Sequence, residues 1–156
     1  MISNSTPIIC LAKINQLELL KKLFNKIIIP EIVKDEILVE GKRGFSIIDN
    51  AIEKGWILVE NPKNNYDFGI GKGENAAINL AKEKQDTLII DDSYAIKIAN
   101  SFNIDNFRTT KIIFLALEKN LISKKEAKSF IHKLVQNGYY IKQEIYSKII
   151  EFLDVY

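Results

Sequence analysis

The sequence predicts an α/β fold, with a mostly parallel sheet covered by helices on both faces. Three observations point there. Short β-branched runs alternate with amphipathic stretches, the runs are apolar throughout rather than every second residue, and proline and glycine fall where helices would begin and end. The first run, Met1–Ser3, leads into a helical stretch over Thr6–Phe24, which Ile14-Asn15 could break. Lys26–Ile29 is the second strand and Glu31–Val39 the helix after it. Phe45–Lys54 is a further helix before the third strand, Trp56–Val59. Glu74–Lys84 precedes the strand Thr87–Ile90, and Ser93–Asn100 follows it. A weaker strand near Ile104–Arg108 leads into Lys111–Lys119, and the chain closes with Lys124–Gln136 and Gln143–Phe152. Pro7 and Pro30 suit first helical turns, and Gly55 and Gly138 suit helix ends.

The chain has 156 residues, with no repeat, low-complexity tract or Pro/Gly/Ser-rich linker, so residues 1–156 read as one domain with its C-terminal helices from about 123. Hydrophobic residues at 47 % and charged residues at 27 % are ordinary for a soluble globular protein. A net charge of +2 is too small to announce a nucleic-acid partner, so any such reading must rest on a site. The single cysteine, Cys10, has no disulfide partner and sits in the apolar run Ile8-Ile9-Cys10-Leu11, as a buried small hydrophobe would. Polar residues Ser3 to Thr6 interrupt the N-terminus as a signal peptide would not. No apolar run approaches the roughly 20 residues that span a bilayer. A cytoplasmic protein without a membrane partner is expected.

In open α/β sheets, sites form beyond the carboxyl ends of the strands, so residues just after each strand carry most weight. After the first strand come Ser3-Asn4-Ser5-Thr6-Pro7. Ser5 or Thr6 can cap the following helix, leaving Asn4 at the elbow and directed to the crevice. Asp91-Asp92 follow Thr87–Ile90. One of them is accounted for as an N-cap, and the second is surplus to that need. Glu74 opens a helix, where its charge is favoured, yet it shares a face with Ala77, Ile78 and Ala81 that must pack on the sheet. Its carboxylate is therefore aimed inward, where it needs a partner. Glu36 borders an apolar stripe with Ile32 and Ile37, a position equally consistent with a solvated edge. The glycines of Gly69-Ile70-Gly71-Lys72-Gly73 match neither G-x-x-x-x-G-K-[ST] nor G-x-G-x-x-G. The only histidine, His132, has no Ser-His-Asp or Cys-His company.

Read together, S-N-S-T-P-I-I at 3–9, P-E-I-V-K-D-E-I at 30–37, G-K-G-E-N-A-A-I at 71–78 and L-I-I-D-D at 88–92 resemble the PIN-domain family. The likeness is strongest to its prokaryotic toxin-like branch. R-T-T-K-I-I-F-L-A-L-E-K-N-L-I at 108–122 and N-G-Y-Y-I at 137–141 extend the resemblance over nearly the whole chain. The resemblance implies a three-layer α/β/α sandwich with acids clustered at one end, holding Mg²⁺ or Mn²⁺. Carried over by position, the metal set is Asn4, Glu36, Glu74 and Asp91 or Asp92, with Glu36, Glu74, Asp91 and Asp92 as the catalytic acids. Hard cations take oxygen ligands, and Mg²⁺ takes few carboxylates and keeps several waters, so the residue types fit. The implied activity is a metal-dependent endoribonuclease, the toxin of a toxin–antitoxin pair. Its implied partners are single-stranded or structured RNA, an antitoxin protein and a second copy of the chain. A C-terminal apolar row at Ile145, Ile149 and Phe152 could cover either the core or that second copy.

One residue departs from the pattern. Asn4 stands where the family has aspartate, which keeps an oxygen but removes a charge. Natural loss of activity, a natural weak-metal variant and a deliberate silencing substitution all fit this residue. A catalytically silent PIN-like module that binds RNA or protein is therefore the alternative from another class. A receiver domain would place its acidic pair after the first strand, and a haloacid-dehalogenase-type phosphatase would need D-x-D there. Neither pattern is present.

Overall fold

The computed structural model describes residues 1–155. Its order is β1 (Ile2–Ser3), α1 (Ser5–Lys13), α2 (Glu18–Phe24), β2 (Ile27–Ile29), α3 (Glu31–Ile37), α4 (Phe45–Glu53) and β3 (Ile57–Val59). Then follow α5 (Lys72–Lys84), β4 (Leu88–Ile89), α6 (Ser93–Ser101), β5 (Asn106–Phe107), α7 (Thr109–Glu118), α8 (Lys124–Gln136) and α9 (Gln143–Val155). Each expected strand is present, trimmed at its ends. The long N-terminal helix is broken, because Asn15 adopts a left-handed φ of 57°. Asparagine repeats this role after two later helices, at Asn103 and Asn120. Its short polar side chain tolerates that conformation, so it ends helices here as glycine does elsewhere.

The five strands form one parallel sheet in the order β3-β2-β1-β4-β5. β1 is central: Ile2 pairs with both Ile28 and Leu88, and Ser3 with Ile89. The chain builds outward from β1 to one side, then returns to build β4 and β5 on the other. The switch point lies between β1 and β4, where open α/β sheets form their crevice.

Alternate strand residues enter opposite layers, as a period of two requires. Ile27, Ile29, Ile57 and Ile89 pack with the helices α1 to α4 and α7 to α9. Ile2, Leu88 and Ile90 pack on the other face with Ala77, Ile78, Leu80 and Ala81 of α5 and Ala95 and Ala99 of α6. The result is a three-layer α/β/α sandwich. Small alanines let α5 lie close to the sheet, and Ile78 fills the remaining space, fully buried. Truncating such a residue to alanine costs about 2–5 kcal/mol. Of the C-terminal row, Ile149 packs on the large core, whereas Ile145 and Phe152 are about half exposed. No helix among the described residues is long and apolar enough to cross a membrane.

Candidate functional site

At the end of β1 the chain turns directly into α1, with Asn4 as N-cap residue in extended conformation. Ser5 and Thr6 were expected to cap this helix. Neither of the two candidates is the cap: both are the helix's first residues, and Asn4 occupies the cap position without making a side-chain cap bond. The Asn4 side chain is buried and turned away from the helix, with Nδ2 reaching Glu74 Oε1 at 3.4 Å. Its carbonyl oxygen Oδ1 is buried with no hydrogen-bond partner. An asparagine that forgoes capping and leaves an acceptor orphaned carries a desolvation cost of roughly 1–3 kcal/mol.

Ser5 donates its hydroxyl to Glu36 Oε2, which brings α3 to the same spot. The third side is the start of α5. A Cβ on Gly73 would stand 2.7 Å from both carboxylate oxygens of Glu36, and a Cβ on Gly71 would collide with the Glu74 carboxylate. The two glycines are therefore room for two acids. Asn4, Glu36 and Glu74 thus come together from β1, α3 and α5, with Ser5 beside them.

Asp91 and Asp92 take other directions. Asp92 caps α6, accepting from the Ala95 amide at 2.7 Å, as expected for one member of the pair. Asp91 leaves the sheet beside Asn4, because β1 and β4 are neighbours in register. Its carboxylate, however, accepts from the Thr109 amide at 2.9 Å, the Thr109 hydroxyl at 2.6 Å and the Tyr139 hydroxyl. It ties the start of α7 and the α8–α9 link to the sheet end. The expected cluster of acids is accordingly smaller. Among the described residues, no three His, Cys, Asp or Glu side chains group closely enough to hold a metal ion. Asn4 brings an amide and no carboxylate, and Asp91 and Asp92 are engaged by Thr109, Tyr139 and the Ala95 amide.

Burial and then the nearby Asp91 carboxylate push the Tyr139 phenol well above its usual range, so it donates rather than ionises. The same two causes push the Cys10 thiol up to about 11, and a neutral, half-buried thiol is a poor nucleophile. His132 is engaged with the Tyr146 hydroxyl and holds α9 against α8.

Sequence reasoning missed the residues that position this site. Asn75 and Asn79, one turn apart on α5, are both buried. Asn75 accepts from the Phe68 amide at 2.8 Å, and Asn79 from the Tyr66 amide at 3.2 Å. Both donate to Tyr66 O at 2.8 Å and to Asn65 Oδ1 at 3.1 Å. They pin the loop that delivers Gly71 and Glu74. The available signal was two amides at i and i+4 inside an otherwise apolar helix face. Thr109 and Tyr139 also went unassigned, although both stand in sequence blocks noted above.

The oxygen-rich corner of Asn4, Glu36 and Glu74 suits a hard divalent cation by its donor chemistry. The orphaned Asn4 Oδ1 is the observation that fits best: it is a buried carbonyl oxygen without a partner, on the side chain whose Nδ2 contacts Glu74. A family model described as a PIN domain matches residues 1–154. Among solved structures, the chain is similar to a PilT N-terminus domain protein from the hyperthermophilic archaeon Sulfolobus solfataricus P2. Identity is 22 % and the TM-score 0.52, over 76 % of this chain and 95 % of that one, a likeness of fold alone. No curated protein matches the chain.

Proposed function

The chain belongs to the PIN-domain family, generally a metal-dependent nuclease fold, and from that premise we propose that it is an endoribonuclease weakened or silenced at Asn4. The observation that supports this reading is the buried, partnerless Oδ1 of Asn4 at the switch point, on a side chain whose Nδ2 contacts Glu74 and whose neighbour Ser5 bonds Glu36. Asn4, Glu36 and Glu74 would hold Mg²⁺ or Mn²⁺, with Asp91 fixing the neighbouring helix rather than adding a free carboxylate. When bound, such an ion supplies an acidified water and charge neutralisation at a phosphodiester. The chain's own residues orient the acids: Ser5 steadies Glu36, Asn4 steadies Glu74, and Gly71 and Gly73 leave both carboxylates room. Single-stranded or structured RNA is the substrate class of this reading. A toxin role restrained by an antitoxin protein, in the cytoplasm, belongs to the same proposal.

A silent binding module is favoured by one observation. The contact from Asn4 Nδ2 to Glu74 lets the corner satisfy a carboxylate without a cation. Metal-dependent cleavage of a labelled single-stranded RNA separates the readings, using the chain as it stands, Asn4→Asp, and Asn4→Asp with Glu74→Gln. Restoring the carboxylate should raise the rate by ~10²–10³, the usual weight of one catalytic electrostatic contact. Glu74→Gln should remove most of that gain. If Asn4→Asp cleaves no faster in Mn²⁺ or Mg²⁺, the silent module is the better reading.

A further inference from the structure

A groove of about 220 Å³ opens beside the site, on the side of β4 and β5, between the starts of α6 and α7 and the α8–α9 link. Its lining includes the polar Ser93, Arg108, Tyr140 and Lys142 and the apolar Ile145 and Ile149. Its volume falls short of the roughly 300–1,000 Å³ of pockets that enclose a small molecule. A strand crossing its mouth fits better than an engulfed ligand.

The charges in this groove have one sign. Its lining holds Arg108 and Lys142 and no carboxylate. Among the described residues neither cation forms an ion pair. Arg108 is fixed in place all the same, donating to the carbonyl oxygen of Asp91 and, at 2.9 Å, to Ser93 Oγ. Both acceptors are neutral, so the guanidinium keeps its full charge and further N–H donors. Tyr140 is 81 % exposed, its ring open to solvent at the groove. Its neighbour Tyr139 is buried and bonded to Asp91, which anchors the backbone that presents Tyr140.

We propose that this groove is a nucleotide subsite, in which Arg108 and Lys142 take a backbone phosphate and Tyr140 stacks on a base of single-stranded RNA. The combination of unpaired cations and an exposed ring is the chemistry that grips single strands without reading their sequence. An arginine held by neutral oxygens is preorganised for a phosphate. The subsite rests on the nucleic-acid reading of the neighbouring corner. Through Asp91, which holds both Arg108 and Tyr139, the two are mechanically joined.

The test uses a fluorescein-labelled oligouridylate 12-mer and the intact chain in EDTA, so that binding is read without cleavage. Tyr140→Ala should weaken binding about tenfold, and Tyr140→Phe should restore it, because stacking needs the ring and not the hydroxyl. Lys142→Gln should flatten the dependence of log K on log salt by about 0.7, the contribution of one phosphate on a single strand. Both residues are exposed, so neither change threatens the fold. Unchanged binding in Tyr140→Ala and an unchanged salt slope in Lys142→Gln would overturn the subsite, even if Asn4→Asp cleaves RNA. Tyr140-dependent binding by a chain that never cleaves would keep the subsite and sink only the nuclease. A dimer in light scattering that Tyr140→Ala dissociates, with oligonucleotide binding unmoved, would assign the groove to a second copy instead.

Discussion

The side-chain nitrogen of Asn4 lies 3.4 Å from Glu74 Oε1, while the carbonyl oxygen of the same amide is buried with no partner. The first contact is the kind that lets an acidic corner close without a cation. The second is the kind that a cation would relieve. Both follow from having a neutral amide at the elbow after β1, and they give the site two opposed tendencies that experiment can separate.

The close approach of Gly73 to Glu36 yields the first prediction. An added Cβ would stand 2.7 Å from the Glu36 carboxylate oxygens, which are the far end of a flexible side chain and can move. Gly73 lies within α5, where alanine is the better helix former by roughly 0.5–1 kcal/mol. Gly73→Ala should therefore leave stability unchanged or slightly raised. In an Asn4→Asp background it should lower cleavage on the order of 10²-fold, because a displaced acid is misaligned. Urea unfolding and RNA cleavage on the same preparation check this. A variant that cleaves normally would show that the position of Glu36 does not matter.

Asn79→Ala should cost about 1–3 kcal/mol in urea unfolding, because it removes the acceptor of the Tyr66 amide and leaves the Tyr66 carbonyl to Asn75 alone. The loop from Asn61 to Ile70 should then exchange its amide protons faster, Tyr66 and Phe68 first. Unaltered exchange at both residues would mean that the loop is held by packing alone.

Much of this organisation is legible in the sequence. The strands announced themselves because isoleucine-rich runs buried on both faces need no alternation, and Glu74 was legible because its helix face was otherwise apolar. The break at Asn15 could be read only as an alternative, since asparagine adopts a left-handed φ only where packing favours it. The bonds of Asp91 were not legible for a different reason. Its partners Thr109 and Tyr139 arrive 18 and 48 residues later, and a carboxylate's direction depends on donors that local pattern does not reveal. The Asn75–Asn79 pair escaped because amides in a helix read as solvated until a loop is known to cover them.

Alkaline pH gives the third prediction. The Cys10 thiol, held up to about 11 by burial and then by Asp91, should react with iodoacetamide at pH 8 on the order of 10²-fold more slowly than a free cysteine. Its folded pKa exceeds the unfolded value near 8.5, so the folded state binds the proton more tightly. The stability this contributes is complete below about pH 8.5 and is lost as pH rises toward 11. Tyr139, shifted in the same direction, adds a further loss above about pH 10. Cys10→Ala should blunt the earlier part of the decline and Tyr139→Phe the later part, measured as urea midpoints from pH 7 to 11. A decline identical in all three proteins would assign it to other groups.

The last prediction returns to Asn4 and needs no enzymatic readout. In Asn4→Asp, without metal, the attractive contact to Glu74 Oε1 becomes repulsion between two carboxylates in a partly buried corner. The variant should be less stable than the chain as it stands by about 1–3 kcal/mol, comparable to one buried polar group left unpaired. For a chain of this length that is a fall of several degrees in Tm, at roughly 2–4 °C per kcal/mol. A divalent cation should reverse the loss, because a ligand that binds only the folded state at about 100 times its Kd adds roughly 2.7 kcal/mol. Mn²⁺ should therefore raise the Tm of Asn4→Asp by more than it raises that of the unsubstituted chain. Glu74→Gln in the same background should improve the metal-free Tm and weaken the response to Mn²⁺, since one change removes both the repulsion and a ligand. That opposite pair of effects is what a mere packing defect at position 4 would not produce. Were Asn4→Asp as stable as the parent in EDTA, and equally indifferent to Mn²⁺, the corner of Asn4, Glu36 and Glu74 would not be a cation site, and its orphaned oxygen would need another explanation.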